Sequence, residues 1–392
     1  MVNERSYTLG SQRSSIRELF EYGRQRAAIV GKENICDFSL GNPSVPAPDE
    51  LKQAYIDLLE NESPVSLHGY TSAVGCDEVR NAISSSLSAT YGMDIRPEHL
   101  YMTCGAAASL TSTFGALTLD GNTEFIAIAP FFPEYRCFSE VLGGHLKVVS
   151  ADEENFQIKL DELESLINAN TQAVIVNSPN NPSGVVYTEE TIKKLASLLE
   201  KKSREFGKPI YIVSDEPYRE LVYGDVKVPF IPKYYGNTIV CYSYSKKLSI
   251  PGERLGYVLV CDGVEDRKRV YDAVAGAARE FGYVCAPSTI QKVIARCADV
   301  KPDLNVYKTN RDLLYNALTE MGYFCAKPDG AFYLFVKTPE NDGKAFSERA
   351  KAKDLLVVPG AGFGCPGFVR ISYCVDTSVC EKAIPIFKEL IG

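Results

Sequence analysis

Lys246 is the residue in this chain best placed to act as a nucleophile. It lies in Ser243-Tyr244-Ser245-Lys246-Lys247, just after an apolar strand pattern, Thr238-Ile239-Val240-Cys241-Tyr242. Arg254 follows on the far side of the turn, ahead of a second apolar run, Tyr257-Val258-Leu259-Val260. A lysine at a strand end, ringed by hydroxyls and an arginine, suits Schiff-base chemistry with an aldehyde that carries a phosphate. The competing reading is a solvated basic turn, in which Lys246 and Lys247 both face water.

Other polar or glycine-rich segments also follow apolar runs, and each has two readings. Gly105-Ala106-Ala107 opens a helix and offers free backbone N–H groups to a phosphate, or is an ordinary small-residue turn. Phe132, in Pro130-Phe131-Phe132-Pro133, stacks on a flat ligand or fills the core. Asn181, in the doubled Asn180-Asn181 between Pro179 and Pro182, presents an amide suited to a ring hydroxyl or forms an ordinary Asn-Pro turn. Asp215 ends the run Ile210-Tyr211-Ile212-Val213-Ser214 and either meets a buried cation or caps a helix. Tyr218 lies three residues on, able to donate to a ring oxygen. Arg370, in Phe368-Val369-Arg370-Ile371-Ser372, suits a bidentate carboxylate pair or a structural ion pair. Together these groups describe a ligand with an aldehyde, a phosphate, a ring hydroxyl and a basic ring nitrogen: pyridoxal 5'-phosphate.

The elements that must position these residues follow from periodicity. Residues 15–30 have helical spacing, with Ser15 and Glu18 as a capping box. A second helix begins near Asp49, and a third runs to about Tyr91. From residue 100, short apolar runs alternate with helices, the rhythm of a largely parallel α/β sheet whose strand ends carry the ligand. One helix spans Glu189 to about Phe206. After about residue 283 a long helix, Ile290 to about Leu318, precedes three short strands, Ala331–Phe335, Leu355–Val358 and Phe368–Ser372, and a terminal helix. The expected division is an arm over 1–48, a large domain over 49–283 and a small α+β domain over 284–392. The arm is too short to fold alone and is expected to pack on the small domain or a partner subunit.

The net charge of −8 gives no basic face for nucleic acid or anionic lipid. Twelve scattered cysteines without a C-x-x-C pair read as reduced thiols, and three dispersed histidines make a zinc site unexpected. No apolar run reaches membrane-spanning length and no signal core opens the chain, so a cytoplasmic location is expected.

In S-Y-S-K with G-E-R-L-G-Y, in N-N-P-S-G and in D-E-P-Y, the chain resembles the fold-type I pyridoxal-phosphate enzymes, specifically class I/II aminotransferases of the aspartate aminotransferase superfamily. The resemblance extends from Gly41 to the Arg370 strand. It implies a mostly parallel seven-stranded sheet and an amino-group transfer from an L-amino acid to a 2-oxo acid such as 2-oxoglutarate, by ping-pong kinetics. It further implies that Lys246 carries the aldehyde and the proton, and that Asp215 pairs with the ring nitrogen. Asn181 and Tyr218 would hold the ring oxygen, with Phe132 in the stacking position. Ser243, Arg254 and the backbone of Gly105, Ala106 and Ala107 would hold the phosphate, helped by Ser245 or Ser109 because alanines replace the usual side-chain donor. Arg370 and Gly41 would grip the substrate carboxylate. Tyr70 resembles the tyrosine that reaches a neighbouring subunit's phosphate, which implies a homodimer. Arg17, Arg279 and Tyr333 are candidates for side-chain recognition, and Lys247 is expected at the surface. The rival readings are a β-elimination carbon–sulfur lyase or decarboxylase on this scaffold, and a non-catalytic cofactor-binding regulator.

Overall fold

Seven strands form the central sheet of the computed structural model, which describes residues 1–11 and 14–391. Their spatial order is Leu100–Thr103, Gly256–Val260, Thr238–Ser243, Tyr211–Asp215, Thr171–Asn177, Glu124–Ile128 and His145–Val149. All neighbours run parallel except Gly256–Val260, which is antiparallel to both of its partners. That reversal brings the start of Gly256–Val260, with Arg254 just before it, to the edge where the other strands end. In register, Asn177 lies beside Asp215, and Ser243 beside Gly256.

Strand residues alternate between two covered faces, as the period-two pleat requires. Ile175, Val213 and Cys241 pack with Phe114 and Val274 on one face; Val174, Val176 and Ile212 pack with Ile192, Leu195 and Leu199 on the other. Asn177, Asp215 and Ser243 share the parity of the first set, so all three belong to the face of helix Ala106–Leu117. Gly115 lets helix Arg267–Glu280 approach that helix closely: a Cβ there would stand 2.9 Å from the Ala277 Cβ.

Helix Glu189–Phe206 has the expected bounds, and its ends show why. The Thr188 hydroxyl accepts from the Thr191 N–H, Glu189 and Glu190 face the positive N-terminus, and Gly207 takes the left-handed conformation at the C-terminus. Elsewhere the sequence reading needs correction. Helix Ser15–Val30 starts where expected, but Ser14 is its N-cap and makes no side-chain cap bond, so Ser15 and Glu18 form no capping box. The single long helix is two, Ser288–Cys297 and Asn305–Glu320, separated by a segment containing Pro302, which cannot continue a helical hydrogen-bond ladder. Helices Glu134–Glu140, Arg267–Glu280 and Gly343–Lys351 were not anticipated.

The expected strand Leu355–Val358 splits in two. Leu355–Leu356 pairs in parallel with Cys36–Asp37 of the arm, while Val358–Pro359 pairs with Phe368–Ser372. The latter belongs to a four-stranded antiparallel sheet with Tyr333–Lys337 and Phe324–Cys325. Arg26 adds a two-pronged hydrogen-bonded ion pair to Asp354, so arm residues are fastened to the segment that leads into this sheet. No helix among the described residues is long and apolar enough to cross a membrane.

Glu216 and Arg219, on the opposite face from Asp215, form a buried ion pair at 2.8 Å. Arg219 also donates to the Tyr257 hydroxyl at 2.9 Å and lies over the Tyr242 ring at 4.3 Å. Removing one partner strands the other charge in the interior. Arg219→Met is expected to cost about 3–5 kcal/mol in urea denaturation, and the double variant Arg219→Met/Glu216→Gln to recover most of that loss.

Candidate active site

Lys246 occupies a one-turn helix, Tyr244–Lys247, started by Ser243, whose hydroxyl accepts from the Ser245 N–H at 3.1 Å. The turn half-buries the lysine instead of exposing it. Its Nζ donates to the Gly41 carbonyl at 2.7 Å, and burial lowers its pKa to about 8, with Arg370 and Arg254 adding to the effect and Cys374 opposing it. Lys247 is also buried, contrary to expectation: its Nζ donates to the Ala298 carbonyl at 2.6 Å.

Asp215 ends its strand with one oxygen satisfied and one bare. Oδ2 accepts from the Tyr135 hydroxyl at 2.5 Å, while Oδ1 is buried without a hydrogen-bond partner. Burial raises the carboxyl pKa to about 7; the Tyr135 bond opposes the rise and Glu216 adds to it. An acidic group this deep lacks a cationic donor at Oδ1. Asn177 fixes the surrounding backbone, donating from Nδ2 to the Asp215 carbonyl and accepting from the Asn181 N–H, both at 2.8 Å. Tyr135 and Asn177 were missed in the sequence. Asn177 carried the signal of a polar residue ending an apolar strand, whereas nothing local to Tyr135 points to Asp215.

Arg370 is 2% exposed and reaches the same cavity. Nη1 donates to Asn181 Oδ1 at 3.1 Å, Nη2 to the Ser39 carbonyl at 2.7 Å, and Nε has no partner. Its guanidinium lies 4.9 Å from the Tyr333 ring centre and 5.1 Å from that of Phe363. The hydroxyls of Tyr218 and Tyr333 are hydrogen-bonded at 2.8 Å, and burial raises both phenol pKa values, that of Tyr333 to about 12.

At the other end, Gly105 takes φ +88° as the N-cap of Ala106–Leu117, and a Cβ there would stand 2.7 Å from Arg254 Nη2. The glycine therefore provides space for the guanidinium. Arg254 donates to the carbonyls of Pro251 and Cys104, and Ser243 and Ser245 share a hydroxyl bond of 2.7 Å. Ala106 and Ala107 line the cavity with Ser243, Ser245 and Arg254, forming a cup of N–H, O–H and guanidinium donors. Ser109 does not help: it is buried beneath the cup, bonded to Thr103 and to the Tyr257 carbonyl.

Phe132, Asn181, Asp215, Tyr218, Lys246, Gly41 and Arg370 thus meet around one cavity of about 530 Å³. Arg17 and Tyr333 line it as well, whereas Arg279 is exposed at the end of helix Arg267–Glu280 and does not. Tyr70 is 93% exposed and does not line its own chain's cavity.

The raised Asp215 pKa predicts a pH-dependent instability of the cofactor-free protein. In the unfolded chain the group titrates near 3.8, so its contribution to stability is full below that pH and is lost as pH rises through about 7. The loss is about 4 kcal/mol. Asp215→Asn is expected to melt near the parent at pH 4 and increasingly above it up to pH 8, read by thermal denaturation of both cofactor-stripped proteins.

The family described as aminotransferase class I and II matches residues 33–387. An aspartate aminotransferase from Thermotoga maritima is 30% identical over 383 residues, 96% of this chain and 97% of that protein. A crystal structure of an aspartate aminotransferase from Thermotoga maritima superposes with a TM-score of 0.87 at 29% identity, covering 99% of each chain. An aminotransferase structure from Eubacterium rectale is 59% identical with a TM-score of 0.97, covering 100% of this chain and 98% of that one. With the strand-edge lysine, aspartate and arginine gathered in one cavity, these matches place the chain in the class I and II aminotransferase family, as a transaminase.

Proposed function

We propose that this transaminase uses pyridoxal 5'-phosphate to move an amino group from an acidic L-amino acid, aspartate foremost, to 2-oxoglutarate. The observation that carries the reading is the bare Oδ1 of Asp215, buried in the cavity that also holds Lys246. A protonated pyridine nitrogen supplies the cationic donor that oxygen lacks, and the cup around Arg254 fits a phosphate. When bound, the cofactor supplies an aldehyde for the substrate amine and a cationic ring that draws electrons from Cα.

The chain's residues divide the remaining work. Asp215 would keep the ring nitrogen protonated, Phe132 would stack on the ring, and Asn181 and Tyr218 would hold its hydroxyl oxygen. Ser243, Ser245, Arg254 and the amides of Gly105, Ala106 and Ala107 hold the phosphate. Arg370 grips the α-carboxylate beside Asn181 and the Gly41 backbone, which fixes the direction of the Cα–H bond. Lys246, whose pKa burial lowers to about 8, would take that proton from Cα onto Nζ and give it to the carbon that carried the aldehyde. Arg17, exposed at the cavity mouth beside apolar Ile16, Leu40 and Phe138, meets the distal carboxylate of an acidic side chain.

Exposed Tyr70 reaches the phosphate of a second copy in a homodimer. The proposed division is the arm over 1–48, the cofactor domain over 49–283 and the small domain over 284–392. Twelve free cysteines accord with a reducing cytoplasm.

The test is oxaloacetate formation from L-aspartate and 2-oxoglutarate, coupled to malate dehydrogenase; no oxaloacetate with either substrate at saturation overturns the reading. Lys246→Ala is expected to lower kcat by about 10²–10⁴-fold or more, since it removes the proton-transfer group. Arg17→Ala is expected to lower kcat/KM for aspartate by about tenfold while leaving alanine within about twofold, as one charged hydrogen bond is lost.

A further inference from the structure

A second cavity, of about 480 Å³, lies behind the turn that carries Lys246. The two cavities occupy opposite faces of the same sheet edge, as the strand alternation dictates. Ser243, Ser245 and Lys246 line the first; Tyr242, Tyr244 and Lys247 line the second. The single helical turn Tyr244–Lys247 is therefore a wall common to both.

The polar groups of the second cavity do not balance. Its acids already have partners: Glu220 accepts from the Tyr242 hydroxyl at 2.9 Å and pairs with Arg219, and Asp299 accepts from the Ser86 hydroxyl. Arg219 is in turn committed to Glu216, Glu220 and Tyr257. Three groups beside these acids keep a donor to spare. Tyr244 is 3% exposed, and its hydroxyl makes no hydrogen bond among the described residues. Lys247 has used one of its three N–H donors, on Ala298. Lys301, exposed at the rim, has no ion pair among the described residues. Opposite these donors, Ile83 and Leu87 of helix Asp77–Tyr91 present an apolar wall, and the volume is within the range that holds small ligands.

We propose that this cavity binds a small monocarboxylate with an aromatic or branched apolar body, its carboxylate received by the Tyr244 hydroxyl and the Lys247 ammonium. Through the shared turn, occupancy shifts Ser243, Ser245 and Lys246, so the ligand modulates turnover without entering the first cavity. This coupling rests on the transaminase role given to Lys246; the binding does not.

Phenylacetate is the probe, since it has neither an amine nor an oxo group to react. It is titrated into the holoenzyme by calorimetry, with and without maleate saturating the Arg370 site. One phenylacetate per chain is expected to remain bound in the presence of maleate. Tyr244→Phe and Lys247→Met are each expected to weaken that binding at least about fivefold. In steady-state assays, phenylacetate is expected to lower kcat of the parent, and this effect to vanish in Tyr244→Phe while competition with substrate persists. Complete displacement by maleate, or parental affinity in both variants, overturns the site. Maleate-resistant binding with kcat unchanged at saturation overturns the coupling.

Discussion

The arrangement of this protein depends on a carboxylate held where water cannot reach it. Asp215 gives one oxygen to Tyr135 and leaves the other bare, and burial pulls its pKa to about 7. A polypeptide that only had to fold would not keep such a group, because the charged form loses hydration and gains a single neutral hydrogen bond. The deficit is what suits the site to a cationic ring. Tyr135 and Asn177 hold the aspartate and its backbone so that the bare oxygen has a fixed position.

Lys246 and Arg370 repeat the pattern with the opposite sign. Arg370 is buried and Lys246 half-buried, each has its charge disfavoured by desolvation, and each is held mainly by neutral oxygens: Gly41 for the lysine, and Asn181 with Ser39 for the arginine. Three under-compensated groups in one cavity cost stability. The surrounding scaffold is correspondingly well packed. The sheet is covered on both faces, and the arm is joined to residues 354–356, just ahead of the small sheet, by strand pairing and an ion pair.

Much of this was legible in the chain. Apolar runs ending in Asp215, Asn177 or Ser243 state both a strand and a ligand-bearing edge, because a parallel sheet covered on both faces needs uninterrupted apolar residues and releases polar ones only at its ends. Helix Glu189–Phe206 was readable in its approximate bounds, and Thr188 and Gly207 cap it there. The division of residues 290–318 into two helices was not read, although Pro302 marked it. Lys247 was misread as solvated because local sequence shows a charge without the Ala298 carbonyl that receives it.

Residue types and spacing alone determined the α/β class and set Lys246, Asp215, Arg254 and Arg370 at or near predicted strands, because period, cap and turn are local patterns; their roles rested on the resemblance. Tertiary structure alone decided that Tyr135 lies against Asp215, that Ser109 supports the cup from below, and that Arg17 but not Arg279 reaches the cavity. Those contacts join residues far apart in sequence, and side-chain chemistry does not encode distance; only the paired register of strands and the packing of helices across them does.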